Sequence, residues 1–196
     1  MPEPSRDDLS REQLLDLASD RPELYKRSER WFCQKGPSTI GALLAGLEND
    51  EFGSVCHGRI LCLLEYFAEQ DTVSSIVGRL QRALRQRDFI VIGASIQTLS
   101  AFRTLEAAEE LVALLSQNNL DILKQAAVAA GQTAQANVVP PLLALLSHED
   151  PSVRFSAVKG LLHFTEPRVF QALRNHLEHE TNAEVRDLIK LDLHQA

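Results

Sequence analysis

The chain has 196 residues, 44% of them apolar and 24% charged, the proportions of a folded globular protein, which excludes wholesale disorder and collagen-like repeats. Its 20 Lys and Arg against 27 Asp and Glu leave a net charge of −7, the opposite of the concentrated positive charge that grips a phosphate backbone. No stretch reaches the roughly 18 apolar residues of a membrane span, and Met1-Pro2-Glu3-Pro4-Ser5-Arg6-Asp7-Asp8 is no apolar leader. Cys33, Cys56 and Cys62 are an odd set in a chain long enough to fold without staples. The expected compartment is therefore the reducing cytoplasm.

Residues 1–36 form the first segment. Ser10 reads as the cap of a helix carrying Leu14, Leu15 and Leu17. Residues 20–35 read as a second helix, with Pro22 in its first turn and Gly36-Pro37 as its stop. Leu24, Tyr25, Trp31 and Phe32 can pack on a neighbour but are too few for a core, so the segment reads as a helical cap.

Residues 37–196 are repetitive. Taking residues 150–161 as template, Val185-Arg186, Leu123-Lys124 with Ala127, Ala130 and Gly131, and Val91 with Ser95 and Leu99 recur at intervals of 30 to 32 residues; Val55 with Cys62 and Leu63 follows more loosely. A preceding helix accompanies each copy, over 38–47, 73–84, 107–115, 138–146 and 169–177, with apolar residues at i, i+3, i+4 and i+7. Turns fall at 48–50, 117–119, 148–151 and 180–182, and Asp150-Pro151 is an N-cap with proline at the first helical position. The pattern predicts ten helices in five hairpins. One hairpin buries too little to stand alone, so neighbours must cover each other. The small residues Ala126, Ala127, Ala129, Ala130 and Gly131 suit close approach between second helices.

The string Asp150-Pro151-Ser152-Val153-Arg154-x-x-Ala157-x-x-Gly160-Leu161, echoed by Asn182-Ala183-Glu184-Val185-Arg186, resembles the HEAT repeat, in the compact variety of phycobilisome lyase subunits and bacterial scaffold proteins. The resemblance implies an all-α, right-handed solenoid of about five hairpins behind the N-terminal cap. It also implies that Arg154 and Arg186 are structural, hydrogen-bonding an acid or a carbonyl across the stack, with Asp150 and Asp187 as the acids at hand. The families it spans include scaffolds, chromophore lyases and adaptors.

Several residues invite chemical readings. Cys56-His57 with Cys62 lacks a closed zinc spacing, and both thiols read as buried and inert. His176-x-x-His179, near Glu180 and with His194 in reach, could approach a metal but reads as solvated surface histidine. No phosphate loop or nucleophile motif is present. Were the chain a lyase, Cys56, His57 or His163 would be its reactive groups. Arg79, Arg82, Arg85 and Arg87 form a basic cluster that reads as an outer face and a second docking surface. On the concave side, second helices would present Ser152, Phe155, Ser156, Lys159 and His163, with Gln97, Gln125 and Gln132 in other repeats, and Phe155 as apolar anchor.

The reading is a noncatalytic scaffold or adaptor that binds a protein or peptide on the concave face, with no metal, cofactor, small-molecule ligand or membrane. A phycobilin lyase subunit or its chaperone-like partner is the first alternative, and a nucleic-acid-binding repeat protein the second.

Overall fold

Helix boundaries follow the punctuation of the sequence. The computed structural model describes residues 6–193, and among the described residues there are twelve α-helices and no strand. The first two are α1 (Arg6–Leu17) and α2 (Pro22–Lys35). Pro22 sits in the first turn of α2, where its missing N–H is not needed, and Gly36 closes that helix at a φ of 70°, an angle that suits glycine. One boundary differs from expectation. Helix α1 begins at Arg6, so Ser10 lies inside it and caps nothing; neither Gly nor Pro interrupts the run from Arg6 to Leu17.

Ten helices follow in consecutive pairs: α3 (Ile40–Glu48) with α4 (Gly53–Phe67), α5 (Val73–Gln86) with α6 (Phe89–Ala101), α7 (Leu105–Leu114) with α8 (Leu120–Gln132), α9 (Val139–Leu145) with α10 (Pro151–Leu161), and α11 (Pro167–His179) with α12 (Ala183–Leu193). Their number and order are those of the five expected hairpins. Side-chain oxygens start many of them, as expected of Asn, Thr and Asp at N-caps. Thr104 accepts from Ala107 N, Asn119 from Asp121 N and Ile122 N, Asp150 from Ser152 N, and Asn182 from Val185 N.

The chain divides into two compact units, Met1–Thr98 and Leu99–Ala196. In the first, α1 packs on α2 and α3, Leu14 is buried, and Leu17 and Phe32 are buried as completely as Leu43, Leu47 and Ile60. Arg59 of α4 donates to the carbonyls of Leu17 and Ser19, satisfying the end of α1, and stacks on the Tyr25 ring at 3.8 Å. Helices α1 and α2 thus pack on α3 and α4 of the first hairpin.

In the second unit each pair packs internally, and α10 packs on both α8 and α12. The closest approach is between α8 and α10. A Cβ built on Gly131 would stand 2.2 Å from the Gly160 carbonyl oxygen, and one on Gly160 would stand 2.4 Å from the Ala127 oxygen. Around them Ala126, Ala127, Ala129 and Ala130 are buried. The alanines and Gly131 of α8 stand at the close approach expected of them, and the residue they meet is Gly160 of α10, backbone against backbone.

Candidate functional site

At the centre of the C-terminal unit is a buried carboxylate. Glu180, just past the end of α11, is 3% exposed and accepts four hydrogen bonds. Arg154 of α10 reaches it with two parallel N–H groups, Nε to Oε2 and Nη2 to Oε1, both at 2.8 Å. His176 Nε2 meets Oε2 at 2.8 Å, and the Asn182 amide donates to Oε1 at 2.8 Å. A bidentate guanidinium and further donors hold the ionised form, so the carboxyl is pushed down to about 2, the Arg154 hydrogen bonds being the largest cause. The same guanidinium uses Nη1 to satisfy the carbonyls of His148 and Glu149, and Arg186 donates to the Glu180 carbonyl at 3.0 Å.

Arg154 thus bonds an acid and Arg186 a carbonyl, both of Glu180 and neither of them Asp150 or Asp187. Arg154 does not bond Asp150, whose carboxylate is occupied at the α10 N-cap by the Ser152 amide and hydroxyl, each at 2.7 Å. Those two donors hold Asp150 below its ordinary pKa. His176 is not a free surface histidine either, because the acid four residues on captures it; His179 is exposed, and His194 lies outside the described residues.

On α10, Ser152 and Lys159 are exposed and Phe155 is half-buried, at spacings of three and four residues, and His163 is exposed in the turn just past the helix. On the neighbouring α8, Gln125 and Gln132 are exposed. Phe155 borders a cleft of about 160 Å³ with Pro151, Ser152, Asn182 and Glu184. Ser156 departs from expectation: it is buried and its hydroxyl turns back to the Ser152 carbonyl at 3.0 Å.

The remaining predicted residues lie in the N-terminal unit. Gln97 is exposed, and its amide donates to Glu65 at 3.3 Å. The basic cluster does not form one face. Arg79 is 3% exposed, with Nη2 2.7 Å from His57 Nδ1 and Nη1 3.4 Å from Asp50, so it is withdrawn from any partner. Arg82 is paired with Glu48 at 2.7 Å, and Arg85 and Arg87 are exposed. The three residues from 79 to 82 fall about 60° short of a full turn, which puts the first inside and the second at the rim.

Cys56 is buried, and desolvation raises its thiol to about 11, while Cys62 is exposed, contrary to expectation. Cys56 points to the Leu14 carbonyl and His57 to Arg79, so thiol and imidazole do not form a nucleophile–base pair. Among the described residues no group of three or more His, Cys, Asp or Glu is placed to hold a metal. A larger cleft of about 450 Å³ between α1 and α3 is lined mainly by Leu14, Ala42, Ala45 and Phe52, with Arg11 as its titratable group. No described helix is long and apolar enough to cross a membrane.

Residues 124–191, which hold the Gly131–Gly160 contact and the arginine network, match the family model for HEAT repeats. Solved structures agree on the fold. The complex of CpcE and CpcF of phycocyanin lyase from Nostoc sp. is similar at 20% identity and a TM-score of 0.55, over 98% of this chain and 77% of that one. Human deoxyhypusine hydroxylase in complex with glycerol is similar at 15% identity and 0.53, over 96% of both chains. An engineered protein is similar at 18% identity and 0.50, over 94% of this chain and 95% of that one. No curated protein sequence matches.

Arg154, early in α10, ties the turn at 148–149 to the turn at 180–182. The role that sequence reasoning missed is that of Glu180, read there as part of a turn and as an acid near the histidine pair. Its signal was positional: it lies between two arginines that occupy equivalent repeat positions, Arg154 and Arg186, and both converge on it.

Proposed function

We propose that this chain is a noncatalytic scaffold that binds a protein or peptide partner along the exposed side of the second helices. The observation that carries this reading is the row of Phe155 and Lys159 on α10 and His163 just past its end, with Gln125 and Gln132 exposed on the neighbouring α8. The row is mounted on two helices locked backbone to backbone at Gly131 and Gly160, so it is presented without an ordering penalty. A half-buried aromatic edged by a cation and amides suits an anchor-and-orient mode of recognition. Gln97 belongs to the same class of position, and Arg85 with Arg82 supplies a second surface. The three unpaired cysteines favour a reducing cytoplasm.

The Nostoc lyase complex, similar over nearly the whole chain, favours a second reading as a subunit or partner of a bilin lyase. That reading expects an absorbance change on titration with a free bilin, which the scaffold reading does not.

The test is affinity capture with the full chain as bait, followed by quantitative binding of the captured protein. Phe155→Ala and Lys159→Glu are each expected to weaken binding about tenfold or more, the scale of an interface anchor. Arg85→Glu is expected to change it less. Equal binding by wild type and both α10 variants moves the site off this face.

A further inference from the structure

In the N-terminal unit a histidine is held in one protonation state by a neighbour that can only donate. His57 of α4 is 1% exposed. Its Nδ1 lies 2.7 Å from Nη2 of Arg79, itself 3% exposed on α5. Guanidinium has no acceptor, so Nδ1 must accept, and the ring's one proton is on Nε2, which donates to the Asn49 carbonyl at 2.9 Å. A second proton could go only on Nδ1. That would set an N–H against an N–H, and an imidazolium against a buried guanidinium.

The other groups that face the ring offer limited relief. Asp50 is 3.4 Å from Arg79 Nη1 and is 65% exposed, so water screens it. Asp88, on the connection from α5 to α6, is engaged by the Ser54 hydroxyl at 2.6 Å and the Val91 amide at 3.2 Å. On α4 itself, Cys56 is a buried neutral thiol and Arg59 turns away to the carbonyls closing α1. Burial is the largest influence on His57 and lowers its pKa, with Arg79 acting in the same direction. In the C-terminal unit the arrangement is the reverse: His176 faces the Glu180 carboxylate, which accepts from the ring whether neutral or cationic.

We propose that the His57–Arg79 contact is an acid-sensitive latch, which on protonation loosens the hold of α4 and α5 on each other and on α3 in the N-terminal unit while the C-terminal unit stays closed. The sign follows from linkage. With the folded pKa below the ordinary histidine value of about 6.5, the opened unit binds the extra proton. The stability this contact gives is present above that value and is lost as pH falls through the folded pKa.

The experiment is hydrogen exchange by mass spectrometry on the full chain between pH 7.5 and 5.0, corrected for intrinsic exchange. Peptides of α4 and α5 are expected to show an opening equilibrium that rises by up to about tenfold per pH unit below about 6.5, while those of α8 and α10 hold steady. In His57→Gln the rise is expected to vanish. Should that variant not fold, imidazole nitrogen resonances of the unaltered protein decide: an Nε2–H tautomer whose protonation coincides with opening supports the latch. A ring that titrates near 6.5 with no change in exchange, equal opening of both units, or a folded His57→Gln that keeps the rise overturns it.

Discussion

Glu180→Gln is expected to destabilise the C-terminal unit by about 3 to 5 kcal/mol, the loss typical when one partner of a buried ion pair is removed. The carboxylate is the shared acceptor for Arg154, His176 and the Asn182 amide. A neutral amide offers one oxygen where two were used and turns an NH₂ group toward the guanidinium. Arg154 is then a charge in a pocket built for a pair, its side chain being 13% exposed. Urea unfolding at pH 7, read from exchange protection over residues 151–190, measures the difference.

The pH dependence gives an independent handle on the same carboxylate. Glu180 takes up its proton at about 2 in the folded unit against 4.5 ordinarily, so in that window the unfolded chain binds the proton first. Its contribution is therefore complete above 4.5 and fades as pH falls toward about 2. The Gln variant is expected to lack this fall. A loss under about 1 kcal/mol with an unchanged acid profile would mean that the arginine network is idle.

Gly131→Ala and Gly160→Ala are each expected to destabilise the same unit by about 3 kcal/mol or more, at or beyond the upper end of ordinary overpacking. The added methyl would meet backbone, the Gly160 oxygen at 2.2 Å in one case and the Ala127 oxygen at 2.4 Å in the other, and backbone cannot rotate away as a side chain can. The helices must separate, and the alanine face between them loses its contacts. Gly78 is the control: it lies within α5, and a methyl added there would have nothing within 4 Å, so Gly78→Ala is expected to stabilise by about 0.5 to 1 kcal/mol. Thermal unfolding of the three variants separates the cases by sign.

How far the sequence could be read depended on the range of the interaction involved. Helix pairing was legible because Asp150-Pro151, Asn119 and the 3.6-residue apolar spacing act within a turn or two of the chain. The close approach of α8 was legible in its run of small residues from Ala126 to Gly131, and Ala127 and Ala130 recur thirty residues on as Ala157 and Gly160. The partner of Arg154 was not. Asp150 is four residues away and Glu180 is twenty-six, and nothing local says that the nearer acid is already occupied as a cap. Arg79 was misplaced for a related reason. A charged residue in a run of four arginines looks solvated until His57, on the preceding helix, is seen to offer it a lone pair. Ser156 turned inward to its own helix, and Cys62 fell on the exposed side of α4, each by about one residue of helical phase.

Photocrosslinking tests the central claim most directly, with benzoylphenylalanine placed either at Phe155 on α10 or at Arg174 on the exposed side of α11. If partners bind along the second helices, irradiation in cells yields a defined adduct from position 155 and none from 174. Adducts from 174 alone, or equally from both, would contradict it.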